Sequence, residues 1–240
     1  MKMLNQYIKK FIGAASIAVL MSGCSLFGLD VQKDYDRTPK TLDPKIYKTT
    51  WEFLKEKATI TTENQNGFSR MMDAIIYSEI DTMEYMKPGR TYILLTNAAI
   101  YHTSSGNALA LFNHFKINNA RATSWASYSK EFVRNYLKYL IVEGVHDHYT
   151  IQGTEVITAK TLAPIGYFNT LPANYSITNF FPDNNPQSEM LLRILNSSPS
   201  NTSDYPLQIN NTLNMRTSSI LATNGTIHVA GSYVVPMLPL

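Results

Sequence analysis

Leu221-Ala222-Thr223-Asn224-Gly225-Thr226-Ile227-His228-Val229-Ala230-Gly231-Ser232-Tyr233-Val234-Val235-Pro236 decides how the chain reads. Asn224-Gly225 is a turn dipeptide that tolerates positive φ, and it predicts a type I′ β-hairpin. After it, Ile227 and Val229 alternate with Thr226 and His228, so one face of the strand is expected to be buried. Tyr233-Val234-Val235 forms a second apolar run, closed by Pro236, which removes a ladder donor. The chain is therefore expected to end in β structure.

Two upstream segments fit the same frame. Thr91–Ile100 (TYILLTNAAI) reads as a strand running into a helix start, and Leu137–Gly144 (LKYLIVEG) as a helix passing into a strand. Taken in order, the three segments resemble the first, middle and closing boxes of the fasciclin domain. Thr96, Asn97 and Ala99 match the first box, Tyr139 and Gly144 the middle one, and Asn224, Gly225 and His228 the closing signature. Leu140 and Glu143 stand where the family has histidine and proline, and Ser219 stands at the usual aspartate before the turn. The resemblance spans roughly residues 47–236. It implies a single α+β domain, a β-sheet wedge or sandwich with several helices on one side, with a structural role for His228. It also implies non-enzymatic recognition of proteins, matrix or glycans.

At the start, Lys2, Lys9 and Lys10 precede an apolar stretch from Phe11 to Met21, and Met21-Ser22-Gly23-Cys24 places small residues before the only cysteine. That pattern is a lipoprotein signal: residues 1–23 would be removed and Cys24 acylated. The apolar stretch is short of the ~20 residues a bilayer-spanning helix needs. Acyl chains at about 0.8 kcal/mol per buried methylene would anchor the protein to a membrane. The signal implies a diderm bacterium and an outer-membrane lipoprotein, facing either side. Residues 24–43, with Lys33, Asp34, Asp36, Arg37, Pro39 and Lys40, read as a tether, and residues 44–240 as the domain.

With Cys24 acylated no thiol remains for a disulfide or for thiolate chemistry. A net charge of +3 without a basic run interleaved with aromatics argues against nucleic acid as a partner. The spacing predicts helices over 47–56, 67–80 (Phe68, Met71, Met72, Ile75, Ile76 and Ile80 on one face), 107–115 and 130–139 (Phe132, Tyr136 and Leu137 inward). Strands are expected at 92–95, 140–142, 149–151, 156–158, 190–195 and 206–209.

Residues near 161–188 and 196–206 read as expanded loops. In the first, prolines separate Tyr167, Phe168, Tyr175, Phe180 and Phe181. Those rings either form a recognition surface for a glycan or protein or fold back as a satellite core. His146-Asp147-His148 would present two imidazoles on one face if extended, with His102 or His114 as third ligands, and otherwise forms a turn. Asp183-Asn184-Asn185 could offer oxygens to calcium but lacks the acidic spacing of a calcium loop and reads first as a turn, and Ser218 and Ser219 have no base identifiable in the sequence. Asp81-Thr82-Met83 has the form of a bacterial O-glycosylation site at Thr82, or simply ends a helix. No metal, cofactor or catalytic residue is expected. The function expected is a membrane-anchored binding or adhesion module for a protein or glycan. The alternatives are an accessory lipoprotein of an outer-membrane glycan-uptake system and an enzyme with an unrecognised site.

Overall fold

The computed structural model describes residues 43, 45–62, 67–103, 110–152, 155–195 and 206–239. Cys24, the leader, the tether up to Leu42 and the 196–205 loop lie outside the described residues. From Asp43 on, the chain forms one unit.

Helix α1 (Thr50–Lys57) starts at a capping box: Thr49 Oγ1 accepts from the Glu52 N–H at 3.2 Å, and Glu52 returns a carboxylate oxygen to the Thr49 N–H at 2.8 Å. Tyr47, expected inside this helix, precedes it and is exposed at φ 52°. Helix α2 (Ser69–Ser78) buries Met71 and Ile75, but Ile76 is 68% exposed, so its apolar stripe is narrower than the sequence suggested. A 3₁₀ turn (Thr82–Tyr85) leads into β1 (Arg90–Leu95) and the short α3 (Asn97–Ile100), which Thr96 caps by accepting from the Ala99 N–H at 3.2 Å. Next come α4 (Leu111–His114), β2 (Phe115–Ile117) and β3 (Ala120–Arg121). The helix expected over 107–115 is thus cut at Phe115, which pairs with Ile177 as part of a strand.

Helix α5 (Lys130–Tyr139) follows Ser129, whose Oγ accepts from the Phe132 N–H at 3.2 Å. Phe132, Tyr136 and Leu137 face inward as their spacing required. The remaining strands are β4 (Ile141–Glu143), β5 (Val156–Lys160), β6 (Tyr175–Ile177), β7 (Glu189–Ile194), β8 (Leu207–Ile209), β9 (Leu213–Asn214), β10 (Thr217–Ala222) and β11 (Gly225–Ala230). Residues 149–151, expected as a strand, form a turn in which Asp147 Oδ1 accepts from the Tyr149 and Thr150 N–H groups at 2.8 and 3.0 Å.

Among the described residues three sheets form, ordered β10-β11-β1-β4, β3-β2-β6 and β5-β7-β8-β9, with the helices packed around them: an α+β fold. The pairing that organises it is parallel: β1 and β11 run side by side from Arg90↔Gly225 to Leu95↔Ala230. A parallel pair needs cover on both faces. Accordingly Thr226 and His228 are as buried as Ile227 and Val229, and the half-buried alternation expected for β11 does not hold.

The hairpin is present, but its turn is displaced by one residue. Ala222 pairs with Gly225, so Thr223 and Asn224 form the loop, and neither has positive φ. The type I′ assignment is therefore corrected. Gly225 instead opens β11 where a Cβ would lie 2.0 Å from the Arg90 carbonyl oxygen, so glycine is required by the approach of β1. Asn224 is 6% exposed and works through its side chain. Its Oδ1 accepts from the Thr50 N–H at 2.8 Å, and its Nδ2 donates to Tyr85 O and Tyr92 Oη, each at 3.0 Å. After β11 no further strand forms among the described residues. Residues 231–239 dock through side chains: Tyr136 Oη donates to Val234 O at 2.9 Å and Asn210 Nδ2 to Val235 O at 3.1 Å.

Candidate functional site

The five rings proposed for recognition divide sharply. Phe168 is buried, with ring centroids 6.2 Å from Phe132 and 5.9 Å from Tyr139. Tyr167 is half-buried and packs edge-on against Phe168. Tyr175 lies on β6, its ring 4.9 Å from Phe132, and its hydroxyl oxygen accepts from the Ser129 N–H at 2.7 Å, next to the α5 cap. Phe180 is half-buried against the core. Only Phe181, at 45% exposure, offers its ring to a partner. Tyr167, Phe168, Tyr175 and Phe180 thus pack on the core, which is the packing alternative for four of the five.

Phe181 borders a cleft of about 580 Å³. Ile209, Leu213, Tyr233, Met237 and Leu238 line it as well, and no lining residue is charged. Two hydrogen bonds bring the loop and the C-terminal segment together: the Phe181 N–H donates to Met237 Sδ at 3.1 Å, and the Leu238 N–H to Asn184 Oδ1 at 2.8 Å. Asn210, also in the lining, has its amide committed to Tyr139 Oη, Val235 O and the Leu191 N–H. The volume falls in the ~300–1,000 Å³ range of small-ligand sites, and the lining suits an uncharged, largely apolar group. Sequence reading found Phe181 but missed Leu213, Met237 and Leu238, because nothing local joins segments so far apart.

A second grouping lies on the β10–β11 hairpin. His228 is fully buried. Its Nδ1 accepts from the Ser219 N–H at 3.0 Å and its Nε2 donates to His146 O at 2.8 Å, which fixes the tautomer. Burial lowers its pKa to about 4, so the ring is neutral. Ser219 sits at an irregularity in β10 with φ 59°, and its hydroxyl lies 2.6 Å from His148 Nδ1 while accepting from the His148 N–H at 3.1 Å. His146 turns away, its Nε2 2.9 Å from Glu143 O and its N–H bonded to Thr91 Oγ1 at 2.9 Å. These contacts clamp the 144–151 turn over the hairpin and cover His228. The serine's own N–H, the first donor an oxyanion would need, is already taken by His228. Among the described residues no three His, Cys, Asp or Glu side chains converge as metal ligands.

The other candidates fall in turns. Asn185 is buried, its amide bonded to the Glu189 backbone, and Asn184 holds Leu238, so both side chains are spent on structure. Thr82 is half-buried at the start of the 3₁₀ turn, which Asp81 caps by accepting from the Met83 N–H at 2.9 Å. Among the described residues no helix is long and apolar enough to cross a membrane.

No protein-family model matches the chain, and comparison with curated proteins returns no match.

Proposed function

We propose that this is a lipid-anchored extracytoplasmic binding module of the diderm outer membrane, non-enzymatic, whose fasciclin-like domain takes an apolar or aromatic side chain of a protein partner into the Phe181 cleft. The cleft carries the proposal: an exposed phenyl ring beside an uncharged, mainly apolar lining. The apolar side chains of the lining favour an apolar anchor over a sugar, and the Asn210 amide is already committed within the protein. Interface energy concentrates in such anchors, where one filled pocket can contribute ~2 kcal/mol or more. The fasciclin reading is supported by the parallel pairing of β1 with β11, which joins the first and closing segments of the resemblance. The Met21–Cys24 motif supports the anchor.

Peptide phage display on the purified protein tests the binding role. Selected peptides are expected to share an aromatic or branched aliphatic anchor and to lose affinity by about 2 kcal/mol for Phe181→Asp. Peptides that bind this variant undiminished, or a selection without any apolar anchor, would contradict the proposal. For the anchor, Cys24→Ala is expected to abolish acylation and membrane partition; unchanged partition would contradict it.

A further inference from the structure

Next to the Phe181 cleft lies a groove of about 420 Å³, lined by Thr212, Leu213, Asn214, Arg216, Gly231 and Ser232. Thr212, Leu213 and Ser232 line both, so the two form one continuous surface whose chemistry changes along it. The cleft end is uncharged, and the groove end carries a single guanidinium. Resting on the reading of the Phe181 cleft as a protein-binding site, we propose that the partner presents an acidic side chain a few residues from its apolar anchor, and that Arg216 receives it.

Arg216 stands apart from the other five arginines among the described residues. Arg90 donates to Glu84 O at 3.0 Å, Arg134 to Ser78 O at 2.9 Å, and Arg193 to Gln208 Oε1 at 2.7 and 2.9 Å. Arg121 donates to His102 O, and the Arg70 guanidinium lies 4.4 Å from the Tyr101 ring centroid. Arg216 is exposed, and among the described residues its guanidinium makes no hydrogen bond or ion pair. Its base is nonetheless held in place. The Arg216 N–H donates to Val229 O and the Met215 N–H to Leu207 O, each at 2.8 Å, which ties this stretch to β11 and β8. A Cβ on Gly231 would meet Arg216 Cβ at 3.6 Å and Cδ at 3.5 Å, so the arginine stem lies along the glycine, beside the shared Ser232.

Among the described residues no acidic side chain lines either part, so none there competes for the cation. A partner carboxylate accepts two parallel N–H bonds from such a guanidinium, a pairing that a lysine could not match in geometry. The reach is short. Three chain steps separate Leu213 from Arg216, at most about 11 Å, which an extended peptide covers in three to four residues. A chain's terminal carboxylate is the poorer fit, because its capture uses clustered free backbone N–H groups. Those of Thr212 and Arg216 are committed to Ile209 O at 3.1 Å and Val229 O at 2.8 Å. An apolar centre with charge at its rim is also the ordinary layout of a protein interface.

Random linear peptides displayed on phage, selected in parallel on the full wild-type protein and on Arg216→Glu, test the pairing. Wild-type selections are expected to carry Asp or Glu within about four residues of the apolar anchor, and Arg216→Glu selections Lys or Arg there, with the anchor kept in both. A wild-type peptide synthesised with both ends blocked should bind about fivefold more weakly once Gln replaces its acidic residue. That difference should vanish in Arg216→Ala and shrink with added salt. Anchored peptides without a charge preference, the same preference on both proteins, or a difference that survives in a folded Arg216→Ala variant would overturn the assignment and leave the Phe181 reading standing. A peptide cut to end in a free carboxylate at that position, and binding more tightly than its parent, would overturn it in favour of a chain terminus. Peptides without an apolar anchor, or indifferent to Phe181→Asp, would overturn both.

Discussion

Asn224→Ala is the substitution whose cost the structure states most completely. Asn224 bridges three elements from one hairpin loop: it accepts from the Thr50 N–H in the first turn of α1, and it donates to Tyr85 O in the 3₁₀ turn and to Tyr92 Oη on β1. Tyr92 Oη keeps its donation to Lys87 O at 2.7 Å when the amide is removed, so its loss is small. The Thr50 N–H and Tyr85 O belong to buried residues and lose short bonds. A buried backbone group left unpaired costs ~1–3 kcal/mol, so the two together cost about 4 kcal/mol, against ~5–15 kcal/mol for a whole domain. Asn224→Asp should not rescue. It keeps the acceptor near the positive end of α1, but loses the donations to Tyr85 O, Lys87 O and Tyr92 Oη and sets a carboxylate against the Tyr85 and Lys87 carbonyls. Urea unfolding followed by far-UV circular dichroism gives the loss from the midpoint shift at constant slope. Asn174→Ala, at an exposed position, serves as control and should stay within ~0.5 kcal/mol. An Asn224→Ala loss below about 1 kcal/mol would refute the idea that this side chain ties α1, the 3₁₀ turn and β1 together.

Gly225→Val should lower the melting temperature strongly, because its Cβ would meet the Arg90 carbonyl oxygen at 2.0 Å and force β1 and β11 apart; an unchanged melting curve would contradict the close approach. His228 is held neutral in the fold at a pKa lowered to about 4 by burial, whereas an unfolded imidazole protonates near 6.5. Its contribution is therefore full above pH ~6.5 and lost as pH falls towards 4, by at most about 3 kcal/mol. The acid limb of stability against pH should be shallower in His228→Gln, and an identical limb would show that this ring does not titrate with unfolding. Phe168→Ala should cost about 3–5 kcal/mol and Phe181→Ala under ~1 kcal/mol, and similar values from thermal or urea unfolding would undo the division between core and surface rings.

What was legible in the sequence was what local periodicity encodes. The α5 boundaries, β1, β7 and the existence of the closing hairpin follow from spacing, because each buries a face that its own residues mark. Asn224-Gly225 shows where that reading fails. As a dipeptide it signals a type I′ turn, yet glycine is there for the nearby Arg90 backbone and asparagine for α1 and β1, both long-range demands that select the same letters. The aromatic segment left two readings open. Tyr167, Phe168 and Tyr175 among prolines fit a display loop or a satellite core, and the packing partners that decide, Phe132 and Tyr139, come from α5. The histidines at 146 and 148 gave no sign that Ser219 would meet His148 and shield His228. Of the cleft only Phe181 was singled out, since apart from its loop neighbour Asn179 the lining comes from residues 209–213 and the C-terminal segment.

The most direct test of a binding role centred on the Phe181 cleft is an amide chemical-shift map of the ¹⁵N-labelled protein with a selected apolar-anchor peptide. Saturable shifts confined to residues 179–181, 212–216 and 231–238, absent in Phe181→Asp, are the expected result. Shifts that leave those residues untouched, or that persist in Phe181→Asp, would contradict it.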